Sequence, residues 1–334
     1  MKIKFKRKGN LMFFVVGVLA GISSAIFYFG NHDSYKNTIA LRLGQEGFVN
    51  PLVACDSGDA SISDHLSDLK NVLTKTLDDE KRKGLITRAS VYFRNLNLGE
   101  WTGVNEDDLY DPASLKKVPL MIAYFKNSEL DPAVLDKYLL LDKLRRDDNE
   151  REFFKPPTSL VSGNYYKVND LIYRMIVYSG NNSYNMLFDN INKYLLSKVY
   201  TDLGTLPVNS LTQVLVSPKS YSTMWRSLFN ASYLSREDSN HSLDILSKAE
   251  FKLGLSATIP VDIPIAHKFG ERTIVADDGL VIYRQLHDCG IIYYPGHPYF
   301  VCVMTEGKDF DELETTIQNV SKETYEYMDS KYKK

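Results

Sequence analysis

Strand-like segments stand at both ends of the chain body with a long helical stretch between them, and that order constrains the fold more than any other feature. "ASVYFRNLNLGEWTGV" (Ala89–Val104) reads as two short strands around an Asn-Leu-Gly turn, a hairpin. From Asp131 to Phe251 the apolar spacing is helical almost throughout. Val168, Leu171, Ile172, Met175 and Ile176 make one stripe there, and Tyr221, Met224, Trp225 and Leu228 make another. Strand patterns return with "IPIAHKFGE", "GIIYYP" and "YFVCVMTEG", the last two joined by a tight turn over Gly296–Pro298. A final helix aligns Phe310, Leu313, Ile317 and Val320. "ISDHLSDLKNVLTKTL" (Ile62–Leu77) predicts another helix, packed through Leu66, Leu69, Val72 and Leu73. The expectation is one α+β domain over residues 61–334, with a sheet made from both chain ends and a helical insert.

Upstream of it lies a different kind of sequence. Residues 1–10 carry Lys2, Lys4, Lys6, Arg7 and Lys8, and residues 11–29, "LMFFVVGVLAGISSAIFYF", carry no charge. As a helix that run spans roughly 28 Å, close to the hydrocarbon thickness of a bilayer. Basic residues before it predict a cytoplasmic N-terminus, a transmembrane anchor and an extracytoplasmic domain held in the cell membrane by one pass. A cleaved signal peptide is the alternative, with Ser23-Ser24-Ala25 as the cleavage site. Either way the domain is exported, beyond a stalk over residues 30–60. The formal net charge of −2 includes those five N-terminal cations, so the remainder carries −7. Such a body argues against nucleic acid as a partner. Of the three cysteines, Cys289 and Cys302 fall in neighbouring predicted strands and could bridge, and Cys55 lies far upstream. Their spacing fits no zinc pattern, and no metal or cofactor is expected.

Three short elements could carry chemistry. In "YDPASLKKVPLMIAYF" Asp111 suits a helix cap and Pro112 the first helical position, so Ser114 falls in the first turn with Lys117 three residues on, on the same face. The helix dipole there favours a developing alkoxide. Lysine becomes a base only if desolvation or a second cation lowers its pKa, so the pair needs both a pocket and another cation. The second element is Ser179-Gly180-Asn181, where one apolar helix ends and the next begins; the third is Lys268-Phe269-Gly270 on a late strand. Singly each is weak. Ser67/Lys70 and Ser330/Lys333 repeat the first spacing, Ser162-Gly163-Asn164 repeats the second, and "FKLG" at Lys252 imitates the third, all without the right context.

Taken in order, Ser-x-x-Lys at a helix start, Ser-x-Asn on a helical-domain loop and Lys-x-Gly on a strand resemble the class A β-lactamases and penicillin-binding proteins. The resemblance runs from about Ile62 to the C-terminal helix. It implies a five-stranded antiparallel sheet flanked by helices, with the site between sheet and insert. It implies Ser114 as nucleophile, Lys117 as base, Ser179 as proton relay and Asn181 as a contact for the substrate amide. Lys268 becomes the second cation, Gly270 lies beside the substrate, and the backbone N–H groups of Ser114 and Glu271 form the oxyanion hole.

Two departures stand out. Class A enzymes carry a glutamate after the Ser-x-Asn element that activates the deacylating water, and no glutamate occurs here between Phe153 and Arg236. Asp170, Asp189 and Asp202 are the only carboxylates in that stretch. Phe269 also stands where the family has a hydroxyl residue, which leaves Arg272 as the candidate for a substrate carboxylate. The resemblance, with these departures, implies a serine acyl hydrolase or transferase acting on D-Ala-type peptidoglycan amides or β-lactams, poor at deacylation. The alternatives are a non-catalytic cell-wall peptide binder on the same fold and a genuine β-lactamase.

Overall fold

A computed structural model describes residues 47–50, 66–144, 152–204, 211 and 214–333. The basic segment, the apolar run over residues 11–29, nearly all of the stalk and Cys55 lie outside them. No described helix is long and apolar enough to cross a membrane.

The chain enters through α1 (Ser67–Lys83), then β1 (Arg88–Asn95) and β2 (Trp101–Val104). A 3₁₀ turn over Ala113–Lys116 leads into α2 (Lys117–Ser128), followed by β3 (Tyr138–Leu140) and β4 (Tyr165–Lys167). The helical insert continues with α3 (Val168–Val177), α4 (Asn181–Asn190), α5 (Lys193–Asp202), α6 (Pro218–Phe229) and α7 (Arg236–Ser247). The chain returns to the sheet in β5 (Ile265–Val275), β6 (Val281–Ile292) and β7 (Tyr299–Gly307) and closes with α8 (Phe310–Tyr332).

The main sheet has the order β2-β1-β7-β6-β5, and all of its pairings are antiparallel. Its centre, β7, is buried on both faces, which is why "YFVCVMTEG" is a continuous apolar run rather than an alternating one. The alternation is still there, but it divides two cores. Tyr299, Val301 and Val303 join Leu69, Leu73, Leu313 and Ile317 from α1 and α8. Phe300, Cys302 and Met304 join Met121, Phe125 and Trp225 from the helical insert. Cys289 and Cys302 are register partners across β6 and β7 and are joined as a disulfide.

Two local expectations fail for tertiary reasons. Val72 is 46% exposed, because α1 docks through the Leu66, Leu69, Leu73 and Leu77 face and Val72 falls outside that stripe. The insert is not wholly helical either: β3 and β4 pair as a two-stranded ribbon, Tyr138 opposite Lys167.

Candidate active site

The turn that carries Ser114 is held by its neighbours rather than by helix propensity. Asp111 Oδ1 accepts the Ala113 N–H (2.8 Å), but the turn begins at Ala113 with Pro112 in the cap position, one residue later than the sequence suggests. The tight first turn is 3₁₀ rather than α, and α2 begins only at Lys117. Tyr221 Oη donates to the Leu115 carbonyl (2.9 Å) from α6. Behind the turn, His287 Nε2 donates to the Asp111 carbonyl (3.0 Å), and its Nδ1 accepts the Thr305 N–H (3.3 Å). Burial pushes His287 down to about 3, so it stays neutral and can play both parts. Strand β5 presses against the same turn. A Cβ on Gly270 would lie 2.9 Å from the Pro112 carbonyl and 3.0 Å from the Ser114 nitrogen. Only glycine permits that approach.

Beneath the serine the three elements meet. Lys117, Ser179 and Lys268 are all buried. Lys117 Nζ donates to the Ser179 carbonyl (2.5 Å), to Ser179 Oγ (3.2 Å) and to Asn181 Oδ1 (2.7 Å). Lys268 Nζ donates to the same Ser179 Oγ (2.9 Å) and to the Phe269 carbonyl (2.8 Å). One hydroxyl thus sits between two amines. Burial first, and the Lys117 cation second, hold Lys268 well below the usual lysine range. Ser179 has φ 54° and Ala113 φ 47°, positions that cost a non-glycine residue about 1–3 kcal/mol each. The strained residues flank the meeting point. For Ser179 the two lysine contacts supply the restraint.

Ser114 lines a cleft of about 830 Å³ together with Lys116, Glu152, Asn181, Glu271 and Arg272. Its hydroxyl makes no hydrogen bond to any described residue. The Phe269 carbonyl turns to the free edge of β5 to meet Lys268. Backbone groups of residues two apart on a strand point the same way, so the Glu271 N–H faces that edge also. The imitating motifs lie elsewhere: Ser162 Oγ donates to the Asp142 carbonyl on the surface, Lys252 Nζ to the Ala249 carbonyl, and neither lines the cleft.

The remaining residues were less predictable. Phe269 turns away from the cleft and stacks on Phe251, ring centroids 4.1 Å apart, in the core shared with α1 and α8. Arg272 is at the cleft but paired with Asp111. The Glu271 side chain accepts the N–H groups of Phe153 and Phe154, 3.0 Å each. That clamp delivers Glu152, which accepts a hydrogen bond from Asn181 Nδ2. Burial pushes the Glu152 carboxyl up to about 7, with Lys117 pulling the other way. A carboxylate sought downstream of Ser179 would never be found at 152; only the aromatic pair Phe153-Phe154, which needs a core to bury it, marks the segment in the sequence.

The Beta-lactamase2 family, described as "Beta-lactamase enzyme family", matches residues 68–328 of the sequence. The chain belongs to that family. Among solved structures it is similar to PBP-A, with 21% identity over 78% of this chain and 97% of that one at a TM-score of 0.64. It is also similar to a β-lactamase from Chitinophaga pinensis, with 20% identity, coverage of 77% and 99% and a TM-score of 0.65. The extended-spectrum β-lactamase TLA-1 gives 18% identity, 78% and 98% coverage and a TM-score of 0.66. At such identities the likeness is one of fold. No curated protein matches the sequence. The fold is that of the β-lactamase-like serine hydrolases.

Proposed function

We propose that this protein is a membrane-anchored serine acyl hydrolase or transferase that forms an acyl-enzyme on Ser114, with D-Ala-type peptidoglycan amides or β-lactams as acyl donors. The observation that carries the reading is the Lys117–Ser179–Lys268 chain of hydrogen bonds, which gives the serine's proton a buried acceptor and a relay. Lys117, in its free-amine form, takes the proton of Ser114, Ser179 passes one to the leaving nitrogen, and Asn181 holds the substrate amide. The Ser114 and Glu271 N–H groups receive the oxyanion beside Gly270. Arg272, partly neutralised by Asp111, meets the outer end of the substrate. A PBP-A variant has been solved as an acyl-enzyme complex with penicillin G, which supports the choice of penicillin as probe.

Deacylation is the slow half in this reading. Asp202 is bound by Lys198 (2.9 Å) and Tyr233 (3.0 Å), and Asp170, Asp189 and Asp202 are all absent from the cleft lining. Residues 205–213 hold no carboxylate. One general base contributes about 10²–10⁴-fold to such a step. With a chromogenic cephalosporin the expected trace is a burst of one product per protein followed by a nearly flat phase, with the adduct mapped to Ser114. No burst and no adduct would favour the non-catalytic peptide binder. Fast steady turnover would favour a hydrolytic β-lactamase, a second reading that the presence of Glu152 in the cleft supports.

The anchor is part of the same proposal, resting on residues 11–29 and the five basic residues before them. A reporter fused after Lys334 should be active only if it is one that works outside the cytoplasm; a cytoplasmic reporter that lights up there would remove the cell-wall substrate along with the topology.

A further inference from the structure

Three carboxylates line the cleft among the described residues: Asp111, Glu152 and Glu271. Two are fully engaged. Asp111 accepts the Ala113 N–H with one oxygen and pairs with Arg272 through the other. Glu271 accepts a backbone N–H on each oxygen. Glu152 differs. Its Oε1 is held by Asn181 Nδ2, and its Oε2 is buried with no hydrogen-bond partner among the described residues. A buried carboxylate oxygen left alone is costly, by about 1–3 kcal/mol or more, unless a proton or a water completes it.

We infer that Glu152 is the general base for hydrolysis of the acyl-enzyme, its Oε2 taking the proton of the attacking water when the cleft admits it. This rests on the reading of Ser114 as the acylated residue. The segment that presents Glu152 is fixed from both sides of the cleft. Asn181, on the helical side, orients the carboxyl, and its own Oδ1 takes a hydrogen bond from Lys117 Nζ (2.7 Å). On the sheet side, Glu271 clamps the two following N–H groups, and Phe154 seats its ring against Phe251 and Phe269, centroids 4.8 and 5.7 Å away. The departure at Phe269 thereby has a structural counterpart: a hydroxyl residue there could not form this aromatic seat.

The step balances simply. Glu152 Oε2 takes one proton from the water as the water oxygen bonds to the acyl carbon. The tetrahedral intermediate then breaks its bond to Ser114 Oγ, and the proton held on Glu152 passes to that oxygen. A carboxylic acid, a free serine and an ionised glutamate remain. The base has to be ionised, and the groups facing it decide when that happens. Lys117 and Lys268 favour the carboxylate, Glu271 and burial oppose it, and the balance lies at about 7. At neutral pH about half of the protein then carries the ionised base, which lowers the rate of release about twofold and makes it rise with pH.

The experiment follows release of the acyl group from Ser114 by intact-mass spectrometry after a brief pulse of the chromogenic cephalosporin, from pH 5.5 to 8.5. Native protein should release faster as pH rises through about 7. Glu152→Gln should keep a burst of one product per protein, which also reports that it is folded, and should release about 10²-fold more slowly with the rise through pH 7 gone. Glu152→Asp should recover part of the rate. Equal release by native protein and Glu152→Gln, both acylated on Ser114, overturns this inference alone, as does a loss that follows Asp202→Asn instead. Absence of any adduct in the native protein overturns the acyl-enzyme reading and this inference with it.

Discussion

Replacing Ser114 with alanine is expected to remove all covalent labelling by a fluorescent penicillin, while leaving the fold and its melting temperature essentially unchanged. Truncating one half-buried hydroxyl that bonds to no described residue strands no buried partner, so its stability cost falls within the range of about 0.5 kcal/mol seen for surface changes. The chemical cost is total, because no other group can take the acyl chain. Ser179, the nearest hydroxyl in the network, is buried and bonded to two lysines. Ser67 and Ser330 lie on α1 and α8, away from the cleft. A gel showing label on Ser114→Ala, or a peptide map placing the native adduct on either helix, would remove the nucleophile assignment.

What the sequence made legible, and what it hid, follows from the range of the interactions involved. The strand pattern around Val301, Cys302 and Val303 is local, so the buried centre of the sheet could be read directly. The three motifs are also local; each declares its own helix start, loop or strand, and the sheet and insert then bring them together through the ordinary need to bury both faces of β7. Glu152 has no such local mark. Its place depends on a clamp between Glu271 and the Phe153 and Phe154 amides, more than a hundred residues apart in sequence, and on an aromatic cluster that exists only once α8 has docked. The pairing of Arg272 with Asp111 is of the same kind. Composition told nothing of either.

Lys268→Met should separate activity from stability more sharply than any other change. Lys268 supplies a hydrogen bond to the Ser179 relay, and without it acylation should slow by about 10²–10⁴-fold. The stability effect has the opposite sign. Lys268 is buried beside a second amine and is held well below its ordinary range, so the folded state resists the proton that the unfolded chain keeps up to about pH 10.4. Because the folded-state pKa is depressed in a basic group, the penalty is fully present below that depressed value. It fades as pH rises toward the unfolded value, where neither state is protonated. Methionine fills similar volume and carries no charge. The variant should therefore melt at or above the native temperature at neutral pH, and that margin should shrink as pH approaches 10. Thermal melts at pH 7 and pH 9.5, run beside burst kinetics, decide it. A variant that acylates at the native rate and melts several degrees lower would mean that Lys268 is a structural cation and not part of the proton relay.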